Sequence, residues 1–295
     1  MTVNKIQLNN FKKNIYSQSG EDGIIEKIIT DKTFELNFQF VEFGAHDGKT
    51  NSNCYNLLEN KDYKGLFIEP NKKRYQKLVE NTKDYDSINI NSMVTQDGEL
   101  SLDSILSKNN FENNFDLLSI DIDGFDYQMF ESMNLFNPKI VIIEYNQSIP
   151  NHVSYIQPYN TKSRHGSSPK SLIELGQKKG YEPVAITDTN LFFLDKEIFD
   201  LSNFKKLNLD EDRNDTDATI NLFYGYNGDI IFSHNYINLK WHFLKYDLSK
   251  IQLVPKYFRN LLEDYSFVKN FFYKFYSSFL IFKIRLSNLL KRIRF

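Results

Sequence analysis

Apolar positions along this chain come in short dense runs, separated by longer stretches in which polar and apolar residues alternate with helical spacing. The pattern predicts helices over 20–30, 52–59, 72–81, 102–107, 127–133 and 169–179. It predicts strands over 38–43, 65–69, 87–93, 115–122 and 140–145. Gly180, just past the last of these helices, is a good C-cap residue. Strands that alternate with helices imply a mostly parallel sheet covered on both faces, so the expected fold class is α/β, doubly wound. Beyond it, residues 209–217 are acidic and read as a solvated linker, and Asn227-Gly228 between two apolar stretches is a hairpin signal. The expected organisation is an α/β domain over 1–205, an acidic linker with a β-hairpin over 206–250, and a helical tail over 251–295.

Composition is that of an ordinary globular protein: 295 residues, 41% hydrophobic and 25% charged, with 26 Phe and 18 Tyr as the one departure. A formal charge of −2 excludes a generally basic nucleic-acid binder. The single cysteine, Cys54, excludes an internal disulfide and a cysteine-based zinc site. Residues 1–14 are polar and lysine-bearing, and no apolar run reaches the roughly 18 residues of a membrane span. A cytoplasmic location is therefore expected. Charge is uneven, however: residues 251–295 carry +7, leaving −9 for the rest.

Four segments carry candidate chemistry. Val41-Glu42-Phe43-Gly44-Ala45-His46-Asp47-Gly48 follows the first strand, where glycines let the backbone turn and approach a nucleotide-like ligand. The same glycines also suit an ordinary strand-to-helix turn. Gly65-Leu66-Phe67-Ile68-Glu69-Pro70-Asn71 ends the second strand in an acid, where a ribose diol would find a carboxylate acceptor. Asp121-Ile122-Asp123-Gly124-Phe125-Asp126 and Glu144-Tyr145-Asn146 end two further buried strands in oxygen ligands. Such acids either cap the helices that follow or hold a hard divalent cation, Mg²⁺ or Mn²⁺, through Asp121, Asp123, Glu144 and Asn146.

Residues 40–48, 67–71, 101–106 and 116–126 together resemble the successive motifs of FkbM-type S-adenosylmethionine-dependent methyltransferases, in the branch met among bacterial glycan-biosynthesis proteins. The resemblance covers about residues 15–195. It implies a Rossmann-like class I methyltransferase sheet of seven strands, one of them antiparallel. It further implies a cofactor site drawn from Glu42, Gly44, Ala45, His46, Gly48, Glu69, Pro70 and Asp121. By position, Glu42, Gly44 and Gly48 would line the methionine moiety and Glu69 would hold the ribose. The acidic segment is also similar to that of cation-dependent O-methyltransferases, although Tyr145 here separates Glu144 from Asn146.

The implied reaction is O-methylation of a sugar hydroxyl on a capsule or lipopolysaccharide precursor, with a sugar nucleotide or lipid-linked saccharide as acceptor. Asp121 and His165 are the expected catalytic residues, His165 as general base from the polar segment 161–168, with His46 as the second candidate base. The other histidines read as structural. A haloacid-dehalogenase-like phosphatase, built on Asp121-x-Asp123-Gly124, and a non-catalytic scaffold of glycan assembly are the competing readings. In the tail, Phe271, Phe275, Phe279, Phe282, Leu286, Leu289 and Ile293 fall within a stripe roughly 80° wide on a helical wheel, with the basic residues outside it. That stripe reads either as peripheral attachment of residues 257–295 to the inner, anionic face of the cytoplasmic membrane or as a packing face in a homo-oligomer.

Overall fold

The computed structural model describes residues 5–159, 162 and 164–293. The chain packs as two compact units, one ending at Ala218 and the other beginning at Thr219.

The first unit runs α1 (Glu21–Ile29), β1 (Gln39–Phe43), α2 (Tyr55–Asn60), β2 (Lys64–Ile68), α3 (Lys72–Thr82) and β3 (Ser87–Ile90). It continues with α4 (Leu102–Lys108), β4 (Leu117–Ile120), α5 (Asp126–Ser132), β5 (Ile140–Glu144) and α6 (Pro169–Lys178). It closes with β6 (Tyr181–Ile186), β7 (Asn190–Asp195), α7 (Lys196–Leu201) and α8 (Leu209–Asp212). The seven strands form one sheet in the order β3-β2-β1-β4-β5-β7-β6. β7 runs antiparallel to both its neighbours, β5 and β6, while the remaining pairings are parallel. This is the class I methyltransferase arrangement that the resemblance implies.

Strands β1, β2, β4 and β5 are apolar almost throughout because both faces of the sheet are covered. Alternation along them sends Val41, Phe43, Leu118, Ile120, Val141 and Ile143 into a core under α4, α5 and α6. It sends Phe40, Phe67, Leu117, Ile140 and Ile142 into a second core under α1, α2 and α3. Phe67 is fully buried there, and truncating such a side chain to alanine costs about 3–5 kcal/mol.

Register then places the chemistry. Phe43 lies beside Ile68 on one side and Ile120 on the other, and Ile120 lies beside Ile143. Four parallel-strand ends are therefore flush, and the residues that follow, Gly44, Glu69, Asp121 and Glu144, emerge along one rim. Helix starts are fixed by side-chain caps: Asn71 Oδ1 accepts from Lys73 and Arg74 at the start of α3, and Ser168 Oγ from Ser171 at the start of α6.

The stretch 209–217 is not a free linker. Arg213 donates to the carbonyls of Ile149 (3.0 Å) and Gln147 (2.6 Å) and to Asn151 Oδ1 (2.5 Å), and its guanidinium lies over the Tyr145 ring. These bonds build the acidic stretch into the first unit, whose boundary falls at 218 rather than 205.

The second unit contains two hairpins and a long helix. β8 (Leu222–Tyr224) and β9 (Ile230–Phe232) flank Asn227-Gly228 as expected, and β10 (Tyr236–Leu239) pairs with β11 (Leu244–Asp247). Helix α9 covers Phe267–Ile293. Leu248 is the only buried hydrophobic residue among the described residues of this unit.

Candidate active site

The rim opens into a cavity of about 700 Å³, a size typical of a small-molecule site. Its walls come from the ends of β1 (Phe43, Gly44), β2 (Ile68, Glu69, Pro70) and β4 (Asp121, Ile122, Asp123), and from the chain after β3 (Ser92, Met93, Val94). Strand order reverses between β1 and β4, and a crevice outside the carboxyl ends at that point is where open α/β sheets bind ligands.

Gly44 lets this crevice form. It has φ +80°, and a Cβ there would lie 1.5 Å from the carbonyl oxygen of Asp121. The loops after β1 and β4 therefore touch backbone to backbone, helped by the Asp121 N–H donating to the Phe43 carbonyl at 3.1 Å. The glycine serves this loop-to-loop contact as well as access for a ligand.

Glu69 is buried yet lines the cavity. Its Oε2 accepts the His46 N–H at 2.9 Å and its Oε1 accepts the Asn71 N–H at 2.7 Å, so it pins the first-strand loop to the second. A carboxylate offers about four acceptor positions, which leaves two for the hydroxyls of a ribose. The residue thus fits an adenosine-bearing cofactor.

On the other side of the cavity, one oxygen from each of Asp121, Asp123 and Glu144 lies within 4.8 Å of the others. That spacing matches the span of oxygen ligands around a hard six-coordinate cation, about twice a 2.1–2.4 Å metal–oxygen distance. Burial pushes Asp121 up to about 6, and Asp123 adds to the rise, while its hydrogen bond with Glu144 opposes it. Glu144 is pushed up much further, by burial first and then by Asp121, Asp126 and Asp123. A proton on Glu144 relieves the crowding of like charge, and a divalent cation would do the same.

The third acid of the segment has another task. Asp126 is buried, its Oδ1 accepting the Ile122 N–H and its Oδ2 the Gly124 N–H, each at 2.9 Å. It staples the acidic loop shut and presents Asp121 and Asp123. Burial pushes Asp126 up to about 7.

No curated protein matches the chain. Residues 95–183 match the family model of the methyltransferase FkbM domain. The matched stretch includes the acidic loop and Glu144. Among solved structures, the chain is similar to an S-adenosylmethionine-dependent methyltransferase from Aquifex aeolicus, at 9% identity over 57% of this chain and 87% of that one, TM-score 0.36. It is similar to the CurJ carbon methyltransferase, at 13% identity over 61% of this chain and just over half (56%) of that one, TM-score 0.41. It is also similar to M. capricolum TrmK in complex with S-adenosyl-homocysteine, at 13% identity over 58% of this chain and 67% of that one, TM-score 0.34.

The sites expected from sequence divide in two. Gly44, Glu69, Pro70, Asp121 and Asp123 line the cavity, and Glu144 reaches the acidic cluster. Four others do not line the cavity. Glu42 points to the opposite face of β1 from Phe43, where it accepts from Ser52 Oγ (2.6 Å) and the Asn53 N–H (2.8 Å). Ala45 is buried in the core under α1–α3, His46 contributes its backbone N–H to Glu69, and Gly48 packs on Leu78 and Thr82 of α3.

Two further expected residues are engaged by loop contacts. Asn146 Oδ1 accepts from the backbone and hydroxyl of Ser148, and its Nδ2 donates to the His165 carbonyl. His165 is not placed as a base, because its ring lies outside the cavity lining with Nδ1 2.8 Å from the Tyr155 hydroxyl.

The structure adds residues that no motif marks. Arg164 lines the cavity, donates to the Ile122 carbonyl at 3.2 Å and lies over the Phe125 ring at 5.2 Å. Gln157, fully enclosed, accepts the N–H groups of His165 (2.6 Å) and Gly166 (2.9 Å) and so holds the segment that carries Arg164 against the acidic loop.

Proposed function

We propose that the protein transfers a methyl group from S-adenosylmethionine to a sugar hydroxyl of a bacterial surface-glycan precursor, with a divalent cation held by Asp121, Asp123 and Glu144. One observation carries this reading. A single cavity of about 700 Å³ has a ribose-type acceptor, Glu69, on one side and a cation-type carboxylate cluster on the other.

The cofactor supplies a methyl carbon activated by its sulfonium, so the protein's work is alignment of the two reactants and removal of the hydroxyl proton. Glu69 holds the adenosine side, and Met93 and Val94 give an apolar wall for a purine. Phe125 and Tyr159, edge to face with ring centres 5.6 Å apart, give the acceptor an apolar wall opposite the carboxylates. That combination suits a polyol with one apolar face. Asp121 lines the cavity and offers one oxygen to the cation and the other to take the hydroxyl proton. A cation on the cluster would lower the pKa of that hydroxyl.

The phosphatase reading of Asp121 and Asp123 gives no task to Glu69 or to the β1 rim, and the well-formed cavity speaks against a pure scaffold. Transfer of label from methyl-labelled S-adenosylmethionine to a panel of sugar nucleotides and lipid-linked saccharides tests the proposal. Label on an acceptor oxygen supports it; release of phosphate with no cofactor binding overturns it.

A further inference from the structure

We propose that helix α9 docks the protein on an anionic lipid surface, lying along the membrane rather than through it.

Among the described residues, the helix is anchored on one side only. Tyr273 and Tyr276 pack against Phe258 with ring centres 5.7 Å away in each case, and the Tyr276 hydroxyl donates to the Leu253 carbonyl at 2.8 Å. At about 100° per residue, the centre of these tyrosines lies roughly 130° around the helix from the phenylalanine stripe. The stripe is bare: Phe271 is 65% exposed, Phe275 74%, Phe279 58% and Phe282 62%. Four phenylalanines left this open on one helix face form an apolar surface of the kind that marks an interaction site.

Charge selects the occupant. Helix α9 contains Lys269, Lys274, Lys283, Arg285, Lys291 and Arg292 and no acidic residue. On the wheel, Lys274 and Arg285 flank one edge of the stripe and Lys283 flanks the other, within reach of a surface that the phenylalanines would enter. A second copy meeting the same face in twofold fashion would set these cations against their own counterparts, with no carboxylate on either helix to offset them. An anionic bilayer presents complementary charge along the whole length, about 40 Å for 27 residues. Among the described residues, no helix is long and apolar enough to cross a membrane. A basic amphipathic helix of this kind lies in the interface with its apolar face among the headgroups.

The test uses the full chain and vesicles of phosphatidylcholine alone or with 30 mol% phosphatidylglycerol. Co-sedimentation should show at least tenfold stronger partition to the anionic vesicles, falling as salt is raised. The variant Lys274→Glu/Lys283→Glu changes only exposed side chains and should weaken partition at least about fivefold per lysine, the equivalent of about 1 kcal/mol each. The variant Phe275→Ser/Phe279→Ser/Phe282→Ser should lose vesicle binding while keeping its affinity for S-adenosylhomocysteine, which reports that the first unit is folded. Equal partition to both vesicle types, or no partition at all, overturns the proposal. So does a dimer in sedimentation velocity that the phenylalanine variant dissolves, since the stripe would then be covered by a second copy.

Discussion

Replacing Glu69 tests both the architecture of the rim and the cofactor reading, and the two effects can be separated. In the native protein each carboxylate oxygen accepts one backbone N–H, from His46 at 2.9 Å and Asn71 at 2.7 Å, in a buried setting. Glu69→Ala orphans both donors, at about 1–3 kcal/mol each, so a loss of about 2–6 kcal/mol in stability is expected. For a unit of this size each kcal/mol moves the melting temperature by about 2–4 °C. Glu69→Gln retains one acceptor oxygen and should lose about half as much. Affinity for S-adenosylhomocysteine, measured by calorimetry, should fall about 5–150-fold in either variant, the equivalent of 1–3 kcal/mol for the ribose hydrogen bonds. A 2′-deoxy analogue of the same ligand separates the two roles. The native protein should bind it more weakly than the parent ligand, whereas the variants should bind the two alike. Unchanged affinity in a folded Glu69→Ala protein, or an equal penalty for the deoxy analogue in native and variant proteins, would remove Glu69 from the ribose site.

Three other outcomes follow from the same geometry. Gly44→Ala places a methyl 1.5 Å from the Asp121 carbonyl at a residue with φ +80°, so it should cost more than 3 kcal/mol in urea unfolding and abolish cofactor binding; native-like stability refutes the close approach. Burial raises Glu42 from 4.5 to about 7, so the folded state holds a proton that the unfolded chain releases, and this residue alone should remove about 3 kcal/mol of stability as pH rises from 4.5 through 7. Glu42→Gln should flatten that stretch of the stability–pH curve, and an unaltered slope would show that Glu42 ionises freely. Mn²⁺ affinity, followed by electron paramagnetic resonance, should strengthen as pH rises and Glu144 gives up its raised proton, and should drop at least tenfold in Asp123→Asn; affinity that ignores both pH and the substitution removes the cation from the cluster.

Much of this architecture is legible in the sequence because β1, β2, β4 and β5 are buried on both faces and read as mostly apolar runs. Their flush ends then turn sequence position into spatial position, which is why Glu69, Asp121, Asp123 and Glu144 are found along one rim. Glu42 shows where that logic stops. It precedes Phe43 by one residue, and the alternation of a strand sends it to the other face. Asn146 and His165 look like a ligand and a base because nothing local reveals that each is engaged by a loop closure, the asparagine with His165 and Ser148, the histidine with Tyr155. β6 carries Pro183 beside an irregular register with β7, which breaks the strand signal, so that edge of the sheet rests on the resemblance alone. Asp126 and Gln157 act by accepting backbone N–H groups, a role with no residue spacing of its own.

The contact between Gly44 and Asp121 also bears on how proteins of this design can diversify. Where two backbones meet with no room for a single carbon, substitution has almost nothing to work with, and the spacing between the two ends of the cavity is set by backbone alone. The far wall is different. Among the described residues of 149–159 and 164–168, the chain that delivers Tyr159 and Arg164 is irregular, held at fixed points by Asn151, Gln157 and Ser168, and it forms no part of the sheet beneath. New acceptors would be gained by rewriting that segment over an unaltered floor.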